Sequence, residues 1–386
     1  MRTTGDQQLV KKINKSIVLE TIRTDCPLSR AQVSETTGLN KGTVSTLVNE
    51  LIEAHLVYEI GLGQSSGGRK PMMLHFNKTA GYAVGIDLGV TYILTVLTDL
   101  DGHIVAEHRL PLGVQEPEPV LEQLVRQVRT LIERAPVSPY GIIGIGIGVP
   151  GIVDAEGTIL FAPNLHWEAF PLRERLEREF GLPVTIDNEA NAGALGEKQY
   201  GAGRTSDDLV YLSVGTGIGS GIVLGGHLFR GSHGFSGEIG HTSIESNGKK
   251  CSCGNRGCLE LYASEGALME QARAIGAASF DALVDMAEAG QPEALQLFHQ
   301  TGEYLGIGIA NIINTFNPQL ILIGNQMVRA EAWLRNSILR VVRMRSLSYH
   351  REGLDIRFAE LKTHSAVRGA AYYAISAFLF KDRVTL

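Results

Sequence analysis

The sequence predicts an α/β protein: a small helical head carrying a β-hairpin, fused to a two-lobed body in which strands and helices alternate. Three observations predict it. Residues 1–78 hold apolar stripes at helical spacing, punctuated by Pro27 and Gly38 and followed by two short strands. After Asn77 the pattern changes to apolar strands alternating with helices, the signature of an α/β body. Two glycine-bearing turns, Asp87-Leu88-Gly89 and Gly215–Gly221, then mark the start of two separate lobes.

A length of 386 residues suits two or three units, and 44% hydrophobic residues can build their cores. No 18-residue apolar run occurs, and Lys11 and Lys12 are not followed by an apolar signal core. A cytoplasmic protein with no membrane partner is expected. The net charge of −6 argues by itself against nucleic acid, but its distribution does not. Residues 1–78 carry ten Lys/Arg against seven Asp/Glu, a balance of +3, while the remainder carries −9. A mildly basic head on an acidic body fits a DNA module joined to a sensor.

The head reads in order. Val10, Ile13 and Ile17 predict a first helix with one buried stripe. Ser29 is the expected N-cap of a short helix over Arg30–Thr37. Gly38 supplies the positive φ of a tight turn, Leu39 plugs the angle between helices, and Asn40 caps the next helix, about Lys41–Ala54. Val44, Leu47, Val48, Leu51 and Ile52 face its core. The opposite face, with Asn40, Lys41, Thr43, Ser45, Thr46 and Asn49, offers short donors suited to phosphates and base edges. Strands at Leu56–Ile60 and Met72–Phe76 flank the loop 63–71, where Arg69 and Lys70 form a wing able to reach the backbone or a minor groove. A winged helix-turn-helix DNA-binding domain over residues 1–78 is therefore expected. The alternative is a three-helix dimerisation module. Cys26 is expected to be a small buried apolar residue.

In the body, a meander of strands (82–89, 92–99 and 103–107) opens the first lobe, followed by a helix at about 120–134 and a strand at 141–149. A helix to Phe180, a strand at 184–187 and a helix over 189–200 complete residues 79–200. The second lobe, 201–364, begins with a strand at 209–214, the Gly215–Gly221 turn and a strand at 222–224. Backbone N–H groups in such a turn can cradle phosphate. His241, Cys251, Cys253 and Cys258 give H-x9-C-x-C-x4-C within the loop 241–260. Three thiolates and one imidazole suit tetrahedral Zn²⁺ with no open position, hence a structural site.

Asp87-Leu88-Gly89-Val90-Thr91, Pro163-Asn164, Asn188-Glu189-Ala190-Asn191-Ala192, the Gly215–Gly221 turn, Glu238-Ile239-Gly240-His241 and the run Cys251–Glu260 together resemble the ROK family of repressors and sugar kinases. The resemblance spans the chain. It implies an actin/hexokinase-like (ribonuclease H-like) two-lobed fold, with a C-terminal helix at 365–381 completing the first lobe. It also implies a homodimer or dimer of dimers on palindromic operator DNA, and a repressor of sugar-utilisation genes released by D-xylose or a related sugar. By the same resemblance Asn164, Asn188, Glu189, Glu238, His241 and Glu260 hold sugar hydroxyls, which need paired donors and acceptors. His241 would then serve both sugar and zinc.

The family's kinases have Asp where this chain has Glu189, a base one methylene shorter. They carry a second glycine where Val90 stands, and paired glycines where Asn325 follows Gly324. These departures imply a cleft without kinase activity and without ATP as a cofactor, although the Gly215–Gly221 turn leaves nucleotide binding open. The competing readings are an active ATP-dependent sugar kinase with an autoregulatory head, and a repressor answering to a phosphorylated sugar.

Overall fold

A computed structural model of the protein describes residues 7–62 and 71–380. The head packs helices α1 (Gln7–Asp25), α2 (Arg30–Thr37) and α3 (Lys41–Glu53) on a small sheet of β1 (Leu28–Ser29), β2 (Val57–Leu62) and β3 (Met72–Phe76), in the order β1-β3-β2. Local signals placed these elements well. Ser29 and Gln32 form a reciprocal capping box, Gly38 is left-handed at φ 71°, and the Asn40 side chain accepts from Thr43 N. Val44, Leu47, Val48 and Leu51 are buried as expected, with Ile52 partly so.

The first helix departs from expectation. Val10 and Ile17 are 49% and 40% exposed, and the buried residues are Ser16, Val18, Leu19 and Ile22. Two apolar stripes share this helix, and only tertiary packing selects between them. Cys26 is half-buried rather than buried, 3.9 Å from the His75 ring. Arg69, Lys70 and most of the expected wing loop lie outside the described residues.

The body consists of two five-stranded sheets with one topology. The first contains β4 (Tyr82–Leu88), β5 (Tyr92–Asp99), β6 (Ile104–Pro111), β7 (Ile142–Val149) and, after a flap, β11 (Val184–Asn188). Its order is β11-β7-β4-β5-β6, with an antiparallel meander β4-β5-β6 and with β7 and β11 parallel to β4. The flap is a second small sheet, β8 (Ile152–Val153), β9 (Ile159–Ala162) and β10 (Trp167–Phe170), which the sequence reading left without strands. Strands of two to four residues carry too little period to be recognised. The second sheet contains β12 (Leu209–Val214), β13 (Ile218–Leu224), β14 (His227–Leu228), β15 (Leu320–Gly324) and β16 (Asp355–Phe358), in the order β14-β13-β12-β15-β16. Again the first three strands are antiparallel and the last two run parallel to the first. This duplication is the actin/hexokinase-like architecture.

Helices α4 (Pro117–Glu133) and α5 (Leu172–Phe180) cover one face of the first sheet. Helix α6 (Glu189–Tyr200) packs on both sheets. On the second lobe lie α7 (Glu260–Ala263), α8 (Glu265–Ala272), α9 (Phe280–Glu288), α10 (Pro292–Phe316) and α11 (Glu331–Arg345). The last helix, α12 (Ser365–Leu379), returns to pack on β4, β7 and α6. Its approach is very close: a Cβ at Gly146 would lie 1.7 Å from Ala370 O, and one at Gly369 would lie 1.7 Å from Ala192 O. Only glycine fits at those two contacts. Ala374, Ile375, Leu379 and Phe380 then join Val18, Leu19 and Ile22 of α1 in one apolar cluster, so the head and the C-terminal helix share a core. Among the described residues no helix is long and apolar enough to cross a membrane.

The candidate ligand cleft and metal cluster

Between the lobes lies a cavity of about 360 Å³, the size of a small-molecule site. Its walls come from strand ends and helix starts. The first lobe contributes Asp87, Gly89 and Val90 after β4, and Asn188 and Glu189 at the start of α6. Phe161, Pro163 and Asn164 of the flap add a third side. The second lobe contributes Gly215, Thr216 and Gly217, the segment Phe235–Glu238, His241, Glu260 and Asn325. Asn164, Asn188, Glu189, Glu238, His241 and Glu260 therefore line one cavity although 96 residues separate the first from the last.

The polar network is dense. Asn188 caps α6, its Oδ1 accepting from Ala190 N at 2.8 Å and its Nδ2 donating to Gly151 O at 2.9 Å. Part of its hydrogen-bonding capacity is thus spent on structure. The Ser213 hydroxyl donates to Glu189 Oε2 at 2.9 Å and accepts from Asn325 Nδ2 at 3.1 Å. Tyr92 Oη donates to Asp87 Oδ2 at 2.7 Å. Removal from water and the proximity of the Asp87 carboxylate push Glu189 up to about 8; removal from water pushes Asp87 up to about 6. At neutral pH most Glu189 carries a proton, which leaves its carboxyl able to donate a hydrogen bond into the cleft as well as accept from Ser213.

The Gly-rich turn of the second lobe is shorter than expected. Gly219, Ser220 and Gly221 belong to β13, paired with Ser213, Leu212 and Tyr211, and the turn is confined to Gly215–Gly217. The reason is space. A Cβ at Gly221 would lie 2.4 Å from Ala190 O of the crossing helix α6. Those glycines serve helix–sheet contact.

His241, Cys251, Cys253 and Cys258 converge, with all four ligand atoms within 4.8 Å of one another. Cys253 and Cys258 Sγ are 3.8 Å apart, matching the edge of a tetrahedron with Zn–S bonds of about 2.3 Å. His241 Nδ1 lies 3.6 Å from Cys251 Sγ and its Nε2 lies 3.9 Å from Glu238 Oε2. Glu260 Oε1 lies 3.3 Å from Nδ1 and 3.2 Å from Cys251 Sγ, so both cleft carboxylates reach the imidazole, Glu260 on the thiol side and Glu238 on the other. The cluster could hold a metal ion.

In the head, Lys41, Thr46 and Asn49 are exposed along one face of α3, with Thr43 and Ser45 half-exposed and Asn40 at its start. Asn49 Oδ1 accepts from Arg30 Nη2 at 2.8 Å, adding a guanidinium that the sequence reading did not assign to this face. The reading also missed Asp187, Tyr92, Ser213, Arg230 and Tyr373. Asp187 stood in view beside Asn188, whereas Tyr373 reaches it across 186 residues with no local signal.

A model of the ROK family matches residues 83–377. The chain is 45% identical to a xylose repressor of Bacillus spizizenii, over 97% of this chain and 98% of that one. A solved ROK family transcriptional regulator, described as a homolog of the Escherichia coli MLC protein, is 30% identical and superposes with a TM-score of 0.82, covering 97% of this chain and 98% of its own. A ROK family glucokinase from Streptomyces griseus, solved with glucose and AMPPNP, is also 30% identical; it covers 76% of this chain and 99% of its own, with a TM-score of 0.69. With a family model across most of its length and relatives that match it almost from end to end, the chain belongs to the ROK family.

Proposed function

We infer that this chain is a sugar-responsive transcriptional repressor, in which the head holds operator DNA and a sugar bound between the lobes releases it. One observation carries the reading: the head, with a polar helix face suited to DNA, shares a core with α12, which packs on the strands β4 and β7 whose ends open on a cleft of amides and carboxylates. Near full-length similarity to a xylose repressor supports D-xylose or a related sugar as the effector. Asn164, Asn188, Glu189, Glu238, His241 and Glu260 would hold its hydroxyls. Residues 1–78 would form a winged helix-turn-helix, with Asn40, Lys41, Thr43, Ser45, Thr46, Asn49, Arg69 and Lys70 on the DNA of a palindromic site occupied by a dimer. The body would divide into lobes at 79–200 and 201–364, with α12 completing the first. Zinc held by His241, Cys251, Cys253 and Cys258 would pin the loop that presents Glu238 and Glu260.

Loss of kinase activity is supported by side chains. Asp87 is engaged by Tyr92, and the Tyr92 ring packs against Gly89, crowding the first turn. Asn325 lies over Gly215 in the second turn and extends the Ser213–Glu189 chain. A mostly protonated Glu189 is a poor base at pH 7. The competing reading, a sugar kinase, is favoured by the likeness to the glucokinase. The test is operator-type DNA binding followed by anisotropy while D-xylose and then glucose are added, with ADP formation measured alongside. Release by xylose without ADP is expected. Rapid ADP formation would make the chain an enzyme.

A further inference from the structure

We propose that Arg230 and Tyr373 are positioning residues which, through Asp187, tie the state of the cleft to the head. The inference rests on the repressor reading above. Asp187 ends β11 one residue before the cleft residue Asn188, and it is buried. Its carboxylate accepts four donors. Oδ1 takes Asn188 N at 2.7 Å and Asn191 Nδ2 at 3.1 Å, fixing the first turn of α6. Oδ2 takes Arg230 Nη2 at 2.6 Å and the Tyr373 hydroxyl.

These donors come from different bodies. Arg230 follows β14 in the second lobe, on the loop that leads to Phe235 and Glu238 at the cleft wall. Its ion pair with Asp187 therefore bridges the lobes. Tyr373 belongs to α12, the helix that shares a core with the head. A lobe movement large enough to part Arg230 from Asp187 removes one of the two donors on Asp187 Oδ2, the oxygen that also accepts from Tyr373.

Of the two helices leaving this cluster, α12 ends in the core of the head and α6 ends against the turn at Gly102. At the far end of α6, the Tyr200 ring meets Tyr372 of α12 edge-on, 6.0 Å between centroids, and Arg368 covers Tyr200 at 4.5 Å. Arg23 of α1, with its side chain only 9% exposed, lies 3.6 Å from Asp101, in the turn whose Gly102 the Tyr200 ring covers. Adjacent tyrosines on one helix thus have different partners, Tyr373 the cleft aspartate and Tyr372 the Tyr200 ring at the far end of α6. Phe378 extends the same helix to Tyr140, edge-on at 4.8 Å, and Tyr140 Oη donates to Ala54 O at the end of α3 at 2.7 Å. The backbone contact at Gly369 seats α12 directly on α6, so a shift of one is felt by the other.

The test uses the full-length protein and Tyr373→Phe, which keeps the ring and removes only the hydroxyl, with Arg230→Gln as a half-exposed second variant. Operator-type DNA affinity is measured without sugar and at saturating D-xylose, so weakened sugar binding does not enter the ratio. Couplings of this kind commonly span about 5–150-fold. Either variant is expected to bring the ratio below about 3-fold while unliganded DNA affinity holds, and the double variant is expected to do no more than the single ones because the residues act as a unit. A Tyr373→Phe protein with the wild-type ratio overturns the proposal. A second readout needs no sugar: amide exchange in Tyr373→Phe should rise both at residues 187–191 and at the head end of α1, residues 18–25. A rise confined to the cleft would also overturn it. Failure of the wild-type protein to respond to xylose or glucose sinks the repressor reading instead, and the exchange experiment still decides the positioning role.

Discussion

The two lobes place the same turn at the same point of the same sheet and then treat it differently. In the first lobe, between β4 and β5, the turn is filled by side chains: the Tyr92 ring lies on Gly89, its hydroxyl binds Asp87, and Arg109 stacks over the ring at 4.2 Å. In the second, between β12 and β13, it is closed by Gly215 N donating to Gly217 O at 3.0 Å, and the polar side chains of Asn325, Glu260 and Asn164 lie over it in place of a ring. The first lobe concentrates buried acid at the cleft, and the second contributes neutral strand ends and a loop held by a His/Cys cluster. A duplicated scaffold thus fixes where ligands meet, and side chains at equivalent turns decide which chemistry survives there.

The largest expected effect breaks the second half of that contrast. The segment 242–259 has no long helix or strand, so Cys258→Ser should release the loop that presents Glu238, His241 and Glu260. Xylose affinity should fall by about 10–100-fold or more, with metal content, read by elemental analysis, falling below one equivalent. Full affinity in a metal-free variant would contradict the structural-zinc proposal.

Glu189→Gln sharpens the first half. The folded protein holds Glu189 at about 8 against an ordinary 4.5, so it binds more protons than the unfolded chain between those values. That contribution to stability is fully present below about pH 4.5 and is lost as pH rises through 8. The Gln variant carries no such loss. Urea unfolding should find it close to wild type at pH 4 and more stable at pH 8, by on the order of a few kcal/mol. An equal difference at both pH values would mean that Glu189 is ionised in the fold.

The smallest effect is a predicted silence. Val90→Gly restores the doubled glycine of the kinases, yet Tyr92 still fills the turn and holds Asp87. ADP formation with xylose or glucose should stay at background; a clear gain would place the block at Val90 alone.

Much of the fold was legible because its determinants are local. The Ser29 cap, the Gly38 turn and the Asn40 cap lie within a few residues of what they organise, and the strands 72–76, 92–99 and 209–214 and the helix 189–200 were read to the residue. The cleft residues were legible through motif resemblance, and the His/Cys ligands through their spacing. Other features were not. The flap strands are too short for periodicity, and the choice between the two apolar stripes of α1 depends on what packs against it.

The sequence by itself determined the head, the alternation that builds two lobes, and the residue types that converge on the cleft, because capping, turn geometry and hydrophobic period act over a few residues. Only the tertiary structure decided that Gly219 and Gly221 serve helix packing, that Tyr92 occupies Asp87, and that Arg230, Asp187 and Tyr373 meet. Arg230 and Tyr373 lie 43 and 186 residues from Asp187, and a hydrogen bond across such a distance exists only once the sheets, and the glycines that let α12 approach them, have brought both ends together.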